Sequence, residues 1–258
     1  MTLTTAEIMS WIGAYLWPFA RMGAMMFAAP VFGNTMAPMR VRLLLAVALT
    51  VAVMPVAGAG PGVEPLSFEG LLIMAQQVLT GLAMGLLLAM ALQTVSIAGE
   101  SIALTMGLGF ATMVDPQSGQ STPVVSQLLT VVVTLLFLAM GGHLMLIELV
   151  AASFVTIPVG MEGFGESDYV RLVAWAGQMY AGAVLIALPA VVMLLIINLA
   201  LGVMTRAAPQ MNIFSVGFPV TMTLGFILIM TLVVPSLPRR FAAIWSDAFN
   251  TLGRMLGL

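Results

Sequence analysis

The chain has 258 residues, 61% of them hydrophobic and only 7% charged, with eight basic residues against ten carboxylates and a formal net charge of −2. A soluble domain is about half apolar and a quarter charged, so this composition cannot build a water-facing surface. The basic residues, all arginine, are scattered and form no stripe, which excludes nucleic-acid binding.

The absence of cysteine excludes disulfides, thiolate-held zinc, iron–sulfur clusters and thiol catalysis, and the lone His143 excludes any site that needs two imidazoles. No phosphate-binding GxxxxGK[ST] loop, HExxH zinc motif or GxSxG nucleophile elbow occurs in the sequence. An intramembrane enzyme would have to be built on a serine and His143, and no serine motif stands near that histidine.

Glu7 is the first charged residue and Arg21 the first basic one, so the first apolar segment lacks the positive flank of a signal peptide and is expected to stay in the mature protein. Charge-free length and Gly/Pro punctuation place apolar segments at roughly 8–30, 41–57, 71–108, 124–156, 172–203 and 213–236. The runs 70–99, 116–147, 172–205 and 207–238 carry no Asp, Glu, Lys or Arg. A bilayer-spanning helix needs about 20 such residues. The expected fold class is therefore all-α, membrane-type, with broken or re-entrant hydrophobic helices. The third segment exceeds one crossing and holds Gly81, Gly85, Gly99, Gly107 and Gly109, which places the expected break there. Gly81 and Gly85 form a GxxxG pair that lets helix backbones approach closely. Arginines counted on alternate sides of a six-segment arrangement do not settle orientation. The stretch from Pro235 to Leu258 reads as a short amphipathic helix or a plain surface helix end.

Few residues carry chemistry. Glu100 is flanked by apolar sequence on both sides, and an ionised carboxylate in that setting needs protein, water or a counter-charge. It reads either as a structural hydrogen-bonding group in a helical assembly or as a proton or cation site. His143 and Glu148 are five residues apart, a spacing that does not put both on one helical face. Arg21 either pairs with one of these carboxylates or marks a helix end and snorkels. The 23 methionines serve as soft gap-fillers or as a deformable seal. A proton-coupled small-solute permease using Glu100, Glu148 or His143 is the alternative function these residues allow.

The run Pro209-Gln210-Met211-Asn212-Ile213-Phe214-Ser215-Val216-Gly217-Phe218-Pro219 resembles the most characteristic stretch of the FliR family of flagellar and virulence-system export-gate subunits. Arg21 with Ala29-Pro30-Val31-Phe32-Gly33, Pro38 to Arg42, Phe110-Ala111-Thr112-Met113-Val114-Asp115-Pro116 and Gly141-Gly142-His143 extend the resemblance over nearly the whole chain. It implies a FliP-like helical portion over residues 1–165 and a FliQ-like helical hairpin with the C-terminal amphipathic helix over 166–258. The implied role is a single-copy subunit that joins FliP and FliQ in a flagellar export gate for unfolded substrates, in the bacterial inner membrane at the basal body. The implied site is a channel plug over 106–122, with Met106, Leu108, Phe110, Met113 and Val114 as its gasket. Arg206, Gln210 and Asn212 are implied to face the cytoplasmic entrance and the export-switch protein FlhB. No cofactor, metal or catalytic residue is expected.

Overall fold

The computed structural model describes residues 5–30, 38–58, 60–109, 123–208 and 216–258, with side chains of the first helix from Gly13 onward. Every regular element among the described residues is helical: α1 (Thr5–Ala28), α2 (Met39–Ala57), α3 (Phe68–Thr105), α4 (Val124–Ala139), α5 (Gly142–Thr156), α6 (Glu166–Ala207), α7 (Phe218–Leu228) and α8 (Val234–Leu256). A π-helical turn, Ile229–Val233, joins α7 to α8. The stretches Met39–Ala57, Phe68–Thr105, Glu166–Ala207 and Phe218–Leu256 are long and apolar enough to cross a membrane, and the bent pair α4–α5 makes a fifth such span if counted as one.

The break expected in the third segment is not there. α3 runs unbroken for 38 residues, and its glycines are used for close approach instead. A Cβ on Gly81 would lie 2.2 Å from the Arg21 carbonyl oxygen, and one on Gly85 2.5 Å from that of Met25. The GxxxG pair thus seats α3 against the backbone of α1 within the same chain. The break occurs in the fourth segment, where α4 and α5 diverge by 63°. Gly141 sits there at φ 71°, ψ 18°, a left-handed conformation that costs glycine little and ends a helix cleanly.

The described chain forms two compact units. The first comprises residues 1–90, 138–175 and 246–258, and the second 91–137 and 176–245. In the first, α1 packs on α2 and α2 on α5, around a core that includes Trp17, Met22, Met25, Met84, Leu87 and Phe154. Trp175 at the head of α6 donates its indole N–H to Asp247 of α8 at 3.0 Å. In the second, α3 and α4 are joined by serines: Ser126 Oγ donates to the Ser96 carbonyl at 2.9 Å, which leaves the Ser96 hydroxyl to donate to Ser126 Oγ at 2.9 Å. The interior of this unit continues through Val95, Ile102, Val133, Phe137, Leu194 and Phe241.

The amphipathic C-terminal helix is present, and it continues the preceding span through the π turn instead of starting afresh at Pro235. Its apolar side, with Phe241, Trp245, Leu252 and Met255, is buried, while Arg239 and Arg254 are exposed.

The helices differ sharply in how much of their apolar surface the chain covers. In its most apolar window α3 is 61% buried, against 17% for α2 and 22% for α6. Among these spans α3 is the most covered; α2 and α6 present apolar faces outward, with Leu44, Val51, Val184, Ile196 and Leu199 among the exposed side chains.

Gly81→Ala and Gly85→Ala should each destabilise the chain by about 1–3 kcal/mol, because the added methyl meets backbone that cannot retreat. Gly177→Ala, on an open face of α6 with nothing within 4 Å, should instead be neutral or stabilise by up to about 1 kcal/mol. Thermal unfolding of the detergent-solubilised variants measures the contrast.

Candidate functional site

The most constrained polar group in the chain is Arg21. It is 0% exposed and is held by neutral acceptors. Its Nε donates to Gln77 Oε1 at 2.8 Å, Nη1 to the Ser153 carbonyl at 2.9 Å and to Ser153 Oγ at 3.2 Å, and Nη2 to the Ile157 carbonyl at 2.8 Å. The guanidinium carbon stands 4.3 Å from the centroid of the Phe154 ring. Among the described residues Arg21 pairs with no carboxylate, and being fully buried it does not snorkel to an interface. Ser153 lies in the last turn of α5 and Ile157 is its C-cap. The partner of the cation is therefore the carbonyl end of a helix, where about half a unit of negative charge collects. The planar fork of arginine matches this set of acceptors; a lysine ammonium would not.

The start of the 106–122 segment is also tightly held. Asn198 of α6 donates to the Thr105 carbonyl at 3.2 Å, and the Thr221 hydroxyl of α7 shares its proton between the Phe218 carbonyl at 3.0 Å and the Met106 carbonyl at 3.4 Å. The Met106 side chain, 1% exposed, lies on Gly225, where a Cβ would come within 2.6 Å of its Cγ. Met106 thus anchors this segment from inside the second unit, and Leu108 is half-buried beside it. Phe110, Met113 and Val114 lie outside the described residues, as do Gln210 and Asn212. Arg206 is exposed in the last turn of α6.

The carboxylates are scattered. Glu100 is half-buried on α3, and Glu148 is exposed on α5. His143 follows the Gly141 break, half-buried, with its Nδ1 lacking a hydrogen-bond partner. No hydrogen bond or ion pair joins His143 to Glu148. Arg171 and Asp168 form an ion pair at 3.4 Å on the surface. No group of three His, Asp or Glu side chains among them is placed to hold a metal.

Residues 12–248 match the family model described as bacterial export proteins, family 1. The chain is 37% identical over 256 residues to the flagellar biosynthetic protein FliR of Escherichia coli K12, covering 99% of this chain and 97% of that one. It is 36% identical over 257 residues to its counterpart in Pectobacterium carotovorum, with the same coverage. To that of Aquifex aeolicus it is 34% identical over 212 residues, 82% of each chain.

The chain belongs to the FliR family of bacterial export proteins. As a FliR-family member it is a helical, membrane-type component of flagellar biosynthesis and protein export, in agreement with its apolar spans. Sequence reasoning singled out Arg21 but missed its acceptors, since Ser153 and Ile157 contribute mostly backbone carbonyls. It also missed Gln77 and Gly225. The available signal for Gln77 was the Gln76–Gln77 pair in a locally apolar stretch of the helix.

Arg21→Met should cost about 3–5 kcal/mol, because the end of α5 and Gln77 lose their buried donor. Arg21→Lys should recover only part of that loss. The yield of folded protein and its melting temperature in detergent measure both; a methionine variant that melts like the parent would refute the capping role.

Proposed function

We propose that this chain is the single-copy structural and gating subunit of the flagellar type III export gate, assembled with FliP and FliQ in the inner membrane at the basal body. The observation that carries this reading is the match to flagellar FliR proteins over 99% of the chain. It is supported by α2 and α6, whose largely uncovered apolar faces suit a subunit completed by lipid and neighbouring helices. The chain is not an enzyme in this reading: its buried polar groups hold helices together.

Segment 106–122 is the plug. Its base at Thr105 and Met106 is pinned by Asn198, Thr221 and Gly225, which suits a loop that must return to the same position after each substrate. An apolar constriction of Phe110, Met113 and Val114 excludes water and ions by dewetting, yet yields to an unfolded polypeptide because no strong charge pair holds it shut. The α6–α7 turn with Arg206, Gln210 and Asn212 faces the cytoplasmic entrance and meets FlhB. The permease alternative has no observation of its own, since His143 and Glu148 form no couple.

Replacing residues 110–122 with a short Gly/Ser linker, which spares the Met106 anchor, should raise ion leak through the assembled gate several-fold. Unchanged conductance in planar bilayers removes the plug assignment. A photocrosslinker at Gln210 or Asn212 should capture FlhB in flagellated cells, and persistent failure to do so at both positions refutes the entrance placement.

A further inference from the structure

In the second compact unit, one face of α3 is only partly covered by the described residues. Gln93 and Leu104 are exposed, and Ile97 and Glu100 are half-buried; Leu104 shows 64% of its surface. Their spacings of four, three and four residues place them in one stripe along the helix. Such a three-four alternation is the seam that a second helix packs against at a shallow crossing angle.

Glu100 lies in this stripe with a carboxylate that forms no hydrogen bond or ion pair with any described residue. No cation among the described residues pairs with it. All eight arginines and His143 lie among the described residues, none pairs with Glu100, and the remaining segments contain no Lys, Arg or His. Ile97 and Leu104 flank the carboxylate, so the seam is not a hydrated polar face either. A carboxylate between apolar neighbours calls for protein, water or a counter-charge, and a cation on a facing helix supplies one.

We infer that the Gln93–Ile97–Glu100–Leu104 face of α3 receives a helix from another chain of the assembly, and that this helix carries an arginine or lysine opposite Glu100. Glu100 fixes the rotation and height of that helix by charge pairing, Gln93 gives it a second polar contact two turns away, and Ile97 and Leu104 supply apolar contact. The inference rests on the export-gate reading for the existence of a neighbour; the position, the helix and its cation come from α3 itself.

The test uses the intact assembly in native membranes, with a benzophenone amino acid at Gln93 or at Leu104 and mass-spectrometric identification of the attached peptide. The expected adduct is a helix of another gate subunit with Arg or Lys about one turn from the residue attached at Leu104, or about two turns from that attached at Gln93. Glu100→Arg should lower that adduct and subunit co-purification tenfold or more, Glu100→Gln should lower them less, and exchanging the captured cation for glutamate should restore the Glu100→Arg variant. Helicity and melting of each variant in detergent check folding, and if Glu100→Arg does not fold, the captured peptide and Glu100→Gln decide. Adducts to lipid alone, a captured peptide without a nearby cation, or normal assembly of a folded Glu100→Arg chain each overturn the inference while leaving the gate reading intact. A parent chain that co-purifies with no other gate subunit overturns the gate reading, and this inference with it.

Discussion

The capping of α5 by Arg21 is the contact on which the first compact unit depends. One residue of α1 ties two other helices to its own: its carbonyl lies where Gly81 of α3 leaves room, its Nε reaches Gln77 of that same α3, and its two terminal nitrogens close the end of α5. Burying a guanidinium without a carboxylate is unfavourable unless its donors are satisfied together. The arrangement therefore demands a definite depth for α1, a glycine at position 81 and an α5 that ends where it does. A full charge facing a helix terminus also avoids placing an additional anion in an apolar interior.

The positions of most apolar helices were legible, because charge-free length and Gly/Pro punctuation are properties of side chains. The segment read at 41–57 is α2 (Met39–Ala57), and that read at 71–108 is α3 (Phe68–Thr105). The alternation of Arg239, Arg240 and Arg254 with Phe241, Trp245 and Leu252 marked the amphipathic α8. The location of the break was misread, because glycine serves two purposes that look alike in sequence. At Gly81 and Gly85 it removes a side chain so that backbones can touch, whereas at Gly141 it permits a left-handed turn. The partners of Arg21 were illegible for a different reason: backbone carbonyls are present at every residue, and only the fold selects which ones face inward. Compactness also divides the chain differently from a cut at 165, since each unit is gathered from separated stretches.

The methionines fit the same picture. Met22, Met25, Met84 and Met106 are fully buried, and they fill space beside helices brought close by glycine, where an unbranched, pliable side chain packs an irregular gap. Met106 on Gly225 is the clearest case. Gap-filling accounts for these four. Other methionines, including Met39, Met193, Met204 and Met230, lie on exposed faces.

The π turn at Ile229–Val233 has its own consequence. From Thr221 to Trp245 the inward-facing residues recur at every fourth position: Thr221, Gly225, Ile229, Val233, Leu237, Phe241 and Trp245. An ideal α-helix completes a revolution in about 3.6 residues, so a strict tetrad repeat would drift steadily out of phase with a straight neighbour. The widened turn absorbs part of that lag. Were the turn to relax to regular α-helix with no residue removed, Phe241 and Trp245 would swing by about 100° away from the interior, so the irregular turn is what keeps the buried positions on either side of it in phase.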